Sequence, residues 1–302
     1  MTEFMSVGLD KKQELDSIFK TENSRSADYC FGNAYMWKNR FEESYTVHDG
    51  RLIMLLSRRE GRFFAYPVGT GDIKSAVALM REVSRGLDMP LRMCGVCKNH
   101  AAELEAAFPG KFSFIEDRDF SDYLYSAEKL SGYAGRELHA KRNFCNRFEA
   151  EYENAWRFLP LTRENISDCI ALLDRWDREA EGEKTDGLEF ERDAVMLGFE
   201  SFEELELEGG VLYARDEPIG FTVGEKISDD TFCVHFEKAH TDIAGAYAMV
   251  CREFAKMIRA KHLEIRYVNR EDDMGLQSLR RSKLSYKPET ILMKYIAQWV
   301  EQ

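Results

Sequence analysis

The chain has 302 residues, 44% hydrophobic and 32% charged, which suits two globular domains that each bury a core. Its formal net charge of −12 argues against a dedicated DNA or RNA binder, whose affinity comes from a basic surface, but leaves room for a local basic patch that reads one RNA end. No apolar run approaches the ~20 residues of a membrane-spanning helix, and no basic segment followed by an apolar stretch opens the chain, so a cytoplasmic protein without integral membrane contact is expected.

Residues 10–20 place Leu15, Ile18 and Phe19 on one side of a short amphipathic helix. The aromatic run 29–37 reads chiefly as core, with a pocket lining as the alternative. A meander follows: 45–48 and 51–57 flank Asp49-Gly50, a hairpin dipeptide, and 63–67 follows Glu60-Gly61. A helix over 73–86, a strand over 91–96, a helix over 99–107 and strands near 112–116 and 120–125 complete the first half. Cys94-Gly95-Val96-Cys97 is a C-x-x-C, yet no second C-x-x-C or H-x-x-x-H accompanies it, so no metal is expected. Seven scattered cysteines suit reduced core thiols better than a disulfide framework.

Residues 126–150 read as a helical connector, with Leu138, Cys145 and Phe148 docked and the basic residues between them outward. A solvated face and an anion-binding face both fit that pattern. In the second half, Ile166, Ile170, Leu173 and Trp176 mark a helix over 163–180 after Thr162 as N-cap. A short helix near 190–199 follows. Strands are predicted over 210–215, 219–227 and 231–238, with turns at Asp216-Glu217-Pro218 and Ser228-Asp229-Asp230. Helix 242–259, strand 263–268, helix 273–283 and strands 284–287 and 290–296 close the chain.

The halves look like one unit written twice, about 170 residues apart. Gly71–Met80 and Thr241–Val250 both open a helix after a strand; Leu91 and Val96 match Leu263 and Val268; Phe112-Ser113-Phe114 matches Leu284-Ser285-Tyr286; and Tyr123 matches Tyr295. A repeat this long is a duplicated domain. The expected division is 1–125, a connector over 126–150, and 151–302. The copies differ where the first has Ala65, Pro67 and Cys97 and the second has His235, Glu237 and Asn269, so chemistry is expected in the second copy.

A meander, a turn into a helix, then strand, helix and paired strands resembles the GNAT acyltransferase fold, in tandem. The resemblance implies an α+β fold: two domains, each a mixed, mainly antiparallel sheet flanked by helices. It also implies a fourth strand that splays from the fifth, with acyl-CoA in the gap and its pyrophosphate on backbone N–H groups at the next helix start. Such a start is an anion site through its unpaired N–H groups and dipole. Here that turn supplies Thr241, Ala244, Gly245 and Ala246. Against the usual Q/R-x-x-G-x-G/A loop, the chain has Asp242 first and Tyr247 last, and Asp242 reads as the N-cap.

A closer resemblance is to the family containing the C-terminal catalytic domain of phosphatidylglycerol lysyltransferase. It rests on Gly275-Leu276-Gln277-Ser278-Leu279-Arg280-Arg281-Ser282-Lys283, then Leu284-Ser285-Tyr286-Lys287-Pro288, and Tyr295. Val234-His235-Phe236-Glu237-Lys238 and Tyr267-Val268-Asn269-Arg270-Glu271-Asp272-Asp273 resemble a soluble branch of that family. The resemblance implies transfer of an aminoacyl or acyl group to an amine or hydroxyl. Acyl-CoA or aminoacyl-tRNA would be the co-substrate, with no tightly bound cofactor. Expected partners are a small-molecule or peptide amine acceptor and a tRNA acceptor end, but not DNA.

Alternation along 231–238 predicts Phe232, Val234 and Phe236 on one face and Cys233, His235 and Glu237 on the other. His235 and Glu237 would then be neighbours ~6.5 Å apart at Cα, able to accept a proton from an attacking amine; an exposed polar strand face is the plainer alternative. Asn269 either orients the acyl carbonyl or caps a turn. Tyr286 is a candidate general acid or a core residue. Arg280, Arg281 and Lys283 are candidates for phosphate binding, with Lys287 nearby. A non-catalytic ligand-binding protein and a scaffold with an acidic surface are the competing functions.

Overall fold

The computed structural model describes residues 2–179 and 186–300. They belong to two units: Met1–Asp122 with Asp272–Leu276 and Ile291–Gln302, and Tyr123–Glu271 with Gln277–Thr290.

In the first unit, β1 (Met5–Ser6), β2 (Ser44–His48), β3 (Arg51–Arg58), β4 (Gly61–Ala65), β5 (Val68–Gly69), β6 (Arg92–Val96) and β7 (Phe112–Glu116) are joined by the last strand of the chain, β15 (Tyr295–Trp299). The order is β1-β2-β3-β4-β6-β15-β7, with β5 on β3, and β4–β6 is a parallel pair. The helices are α1 (Lys12–Glu22), α2 (Phe31–Phe41), α3 (Ile73–Gly86) and α4 (Lys98–Ala107). Asp49 and Gly50 both take positive φ, 50° and 75°, which the tight β2–β3 hairpin needs. Helix α3 starts where its cap lies: the Asp72 side chain accepts the Lys74 N–H, and Ile73, Ala76, Val77 and Met80 form its buried stripe. The aromatic run is core, with Tyr29, Phe31 and Met36 buried. Cys97 is the N-cap of α4. Burial pushes the Cys94 and Cys97 thiols up to about 11 and about 12, so neither is a thiolate at neutral pH. All seven cysteines are free and buried.

The second unit holds β8 (Asp122–Ser126), α5 (Ala127–Gly132), α6 (His139–Glu151), β9 (Trp156–Pro160), α7 (Ile166–Glu179), α8 (Asp186–Glu200), β10 (Glu208–Ala214), β11 (Glu217–Lys226), β12 (Thr231–Ala239), α9 (Ala246–Lys261), β13 (Tyr267–Asn269), α10 (Gln277–Ser285) and β14 (Thr290–Leu292). Its sheet runs β14-β8-β13-β12-β11-β10-β9, and β12–β13 is its parallel pair. The two sheets therefore repeat one strand order. The penultimate position in each is filled by a strand from the other half of the sequence: β15 lies between β6 and β7, and β8 between β13 and β14. The division at 125 and 150 consequently does not follow the units, because ladder hydrogen bonds, not chain order, decide which sheet a strand joins. Among the described residues no helix is long and apolar enough to cross a membrane.

Several local expectations change: strand 263–268 is extended only over Tyr267–Asn269, helix 273–283 begins at Gln277, and the run 290–296 splits into β14 and β15. The hairpin before β11 turns at Arg215 and Asp216, both at positive φ, one residue before the expected turn. Residues 284–287 are the end of α10 and a turn, not a strand. Helix α9 begins at Ala246, with Gly245 as N-cap at φ 91°, while Asp242 is exposed and lies 3.8 Å from Arg175. A Cβ on Gly245 would stand 2.6 Å from the Phe144 carbonyl oxygen of α6, so this close approach and the left-handed φ both require glycine. Gly245→Ala is expected to destabilise the fold by about 1–3 kcal/mol, read as a lower denaturant midpoint at unchanged slope.

Candidate active site

Strand β12 pairs with β13 only through Thr231, Phe232 and Cys233, opposite Tyr267, Val268 and Asn269. From Val234 to Ala239 no pairing is formed on that side among the described residues, which leaves a gap in the ladder between β12 and the chain leaving β13. Along its other edge the register to β11 slips by one. Val234 faces Gly224 and Phe236 faces Val223, which leaves His235 as an extra residue between them. This is a β-bulge, and a bulge reverses the alternation beyond it. Phe232, Val234 and Glu237 therefore share the face under α9 with Cys251, Phe254 and Ala255, whereas Cys233 and His235 belong to the opposite face. The expected pairing of His235 with Glu237 on one surface is corrected accordingly.

His235 is held on both ring nitrogens. Nδ1 lies 2.8 Å from Glu271 Oε1 and Nε2 lies 3.1 Å from Glu225 Oε1, with Cys233 Sγ at 3.7 Å from Nδ1. Its side chain is fully buried. Burial alone would lower the imidazole, but Cys233 and the hydrogen bonds to Glu225 and Glu271 outweigh it and raise it well above the ordinary range. An imidazolium with both N–H groups engaged is not a free base.

Glu237 is also buried, and its Oε1 accepts from Arg270 Nη2 at 2.7 Å. Burial raises its carboxyl above the ordinary range, against the opposing pull of Arg270, Lys283 and Lys141. Arg270 Nη1 is buried and has no hydrogen-bond partner among the described residues. Arg270 and Glu237 line a cavity of about 10 Å³ with Val234, Cys251 and Val268. That is room for about one water molecule.

The Arg270 guanidinium lies 4.4 Å from the Tyr286 ring centroid, and Lys141 Nζ lies 3.6 Å from the same centroid. The ring is a cation–π platform for both charges. Burial, with Cys251 adding, raises the Tyr286 hydroxyl well above its ordinary range, which favours the core role over the acid role of the two expected for it. Lys141 is half-buried on α6, and burial together with Arg270 lowers its amine to about 8. The connector is thus not merely a solvated face.

The Asn269 Oδ1 accepts the Glu271 backbone N–H at 2.7 Å, which caps the turn after β13. Thr241 and Ala244 are exposed ahead of α9, and Ala246 is buried. Lys283 Nζ donates to the Arg270 carbonyl, so it braces the site instead of presenting a free charge for phosphate. Arg281 is exposed and Arg280 half-buried on α10. Sequence reasoning missed Arg270 and Lys141 as site residues. The signal for Arg270 was its place directly after Asn269 at the mouth of the expected gap; nothing in the sequence joined Lys141 to it.

Two sheets of repeated order, each with a parallel pair, match the fold of solved tandem GNAT proteins. The tandem GNAT protein from the clavulanic acid biosynthesis pathway superposes on 99% of this chain and 99% of its own, with a TM-score of 0.51 and 11% identity. Within that class, the chain belongs to the family of the phosphatidylglycerol lysyltransferase C-terminal region, whose profile matches residues 19–298. The crystal structure of a conserved protein of unknown function from Bacteroides thetaiotaomicron is similar over 99% of this chain and 100% of that one, at 35% identity and a TM-score of 0.92. L-PGS from Bacillus licheniformis covers 100% of this chain and 95% of its own, at a TM-score of 0.68 and 14% identity. An uncharacterised protein of Mycoplasmoides gallisepticum is 26% identical over 185 residues, 59% of this chain, which spans 56% of that relative's length. Family and fold are those of acyl and aminoacyl transferases.

Proposed function

We propose that the chain transfers an aminoacyl group from aminoacyl-tRNA to an amine or hydroxyl acceptor, at the gap beside β12. The observation that carries this reading is the Arg270 side chain, fixed by Glu237 and stacked on Tyr286, which lines the cavity beside β12 and whose Nη1 has no hydrogen-bond partner among the described residues. The acceptor's lone pair attacks the ester carbonyl carbon. Arg270 Nη1 donates to the oxyanion that develops, a charge absent from the ground state. Lys141 in its amine form takes the acceptor's proton, and collapse of the tetrahedral intermediate expels the tRNA 3′-oxygen, which takes a proton in turn. The family description and the likeness to L-PGS favour an aminoacyl donor. So does exposed Asp242 ahead of α9, where a CoA pyrophosphate would meet a carboxylate. A donor must displace side chains to enter, since the cavity lined by Arg270 and Glu237 admits about one water molecule.

The test is transfer of labelled amino acid from charged tRNA to a mixture of small amines and amino-terminal peptides, with tRNA retention that weakens as salt rises. Indifference to charged tRNA and to acyl-CoAs alike would remove the transferase reading. The nearly filled gap favours the second reading, a binding protein without turnover; measurable transfer that falls in Glu237→Gln separates the two.

Because Lys141 is lowered, its base form accumulates as pH rises through about 8. The transfer rate is expected to rise with pH to a plateau above that value, and Lys141→Met to lose this limb of the profile while remaining folded by circular dichroism.

A further inference from the structure

On the sheet face opposite Glu237, Cys233 Sγ, His235 Nδ1 and Glu271 Oε1 converge: Sγ to Nδ1 is 3.7 Å, Sγ to Oε1 is 3.9 Å, and Nδ1 to Oε1 is 2.8 Å. A tetrahedral zinc ion with bonds of about 2.0–2.3 Å sets its ligand atoms about 3.3–3.6 Å apart, so these three need shifts of only about half an ångström. The remaining ring nitrogen of His235 meets Glu225 Oε1 at 3.1 Å. That carboxylate–histidine arrangement fixes which nitrogen of a metal-ligating histidine is free to bind. The backbone aims two of the ligands. The bulge in β12 turns His235, and Glu271 takes φ 53° with its N–H on Asn269, a left-handed conformation uncommon outside glycine. Cys233 and His235 are buried, while Glu271 is partly exposed and offers the route of entry.

We propose that Cys233, His235 and Glu271 bind one divalent ion of the zinc class, one ion per chain. The donor set is one thiolate, one imidazole and one carboxylate, borderline ligands that suit zinc over magnesium or calcium. Binding releases the Cys233 thiol proton and the proton on His235 Nδ1 to solvent; the thiolate and carboxylate then balance the ion's two charges, and His235 Nε2–H stays on Glu225. Cys233 is the last residue of β12 paired with β13, and Glu271 lies two residues beyond the end of β13. The ion therefore ties the two strands together where the gap opens, on the face away from Arg270. The cysteine spacing hides such a site because its ligands come from positions 233, 235 and 271 rather than from a C-x-x-C.

The test is a cobalt titration of chelator-treated full-length protein. The expected result is one Co²⁺ per chain with a thiolate charge-transfer band, displaced by Zn²⁺ and absent in Cys233→Ser, while Cys145→Ser keeps it. X-ray absorption of the wild-type cobalt protein should show one sulfur in the first shell, a readout that does not depend on a variant folding. No charge-transfer band at stoichiometric cobalt, a first shell without sulfur, or a band that survives in Cys233→Ser would overturn the proposal.

Discussion

Lys294→Met is expected to be among the most destabilising single substitutions in the first unit, by about 3–5 kcal/mol, read by chemical denaturation. Lys294 is 1% exposed, and its Nζ donates to Asp28 Oδ1 and Asp122 Oδ1, both at 2.8 Å. Asp122 is itself buried and also accepts the Ala27 N–H. Removing the ammonium takes away the cation that both carboxylates contact directly. The pH dependence has a definite sign. Burial alone would lower the lysine, but Asp122 and Asp28 outweigh it and raise it well above its ordinary value. Its stabilisation is therefore complete below the unfolded lysine value of about 10.4 and is lost as pH rises through the higher folded value. The wild type should thus lose this contribution only at strongly alkaline pH. The deficit of the variant should narrow on acidification, because burial raises the Asp28 carboxyl above its ordinary range and its protonation removes one of the two facing charges.

Arg270→Lys is expected to lower the rate of transfer by about 100- to 1,000-fold, the usual effect of removing one oxyanion donor. The substitution keeps a cation beside Glu237 but loses the planar fork whose Nη2 holds that carboxylate while Nη1 has no hydrogen-bond partner among the described residues. Donor binding should change much less than turnover, because the lost interaction develops with charge in the transition state. Single-turnover rates at saturating donor separate the two quantities. A variant that binds more weakly in proportion to its slower turnover would make Arg270 a ground-state contact.

Local periodicity carried most elements. Helix α3 matches its expected bounds because Asp72 supplies a cap and the apolar stripe repeats at helical spacing up to the glycine at its end. The hairpin at Asp49-Gly50 was equally plain, since few dipeptides accept two positive φ values. Pairing between distant segments was not legible: nothing within Tyr295–Trp299 says that it joins the first sheet. The bulge at His235 escaped for a related reason, since residues 231–238 alternate cleanly as written. Its one sequence signal is Gly224 on the facing strand, where a Cβ would stand 1.9 Å from the Cys233 carbonyl oxygen. That single extra residue separated His235 from Glu237 and moved the candidate chemistry to Glu237, Arg270 and Lys141. Arg270 and Lys141 meet at the Tyr286 ring from segments far apart in the chain, which no spacing rule detects.

The most direct measurement is a crystal structure with an amide-linked 3′-aminoacyl-adenosine, a stable mimic of the charged tRNA end. Its carbonyl oxygen is expected within hydrogen-bond distance of Arg270 Nη1, beside Val234 and Glu237, with Lys141 or Tyr286 moved to admit it. A ligand seated elsewhere on the chain, with the Glu237–Arg270 pair still closed over its cavity, would contradict it.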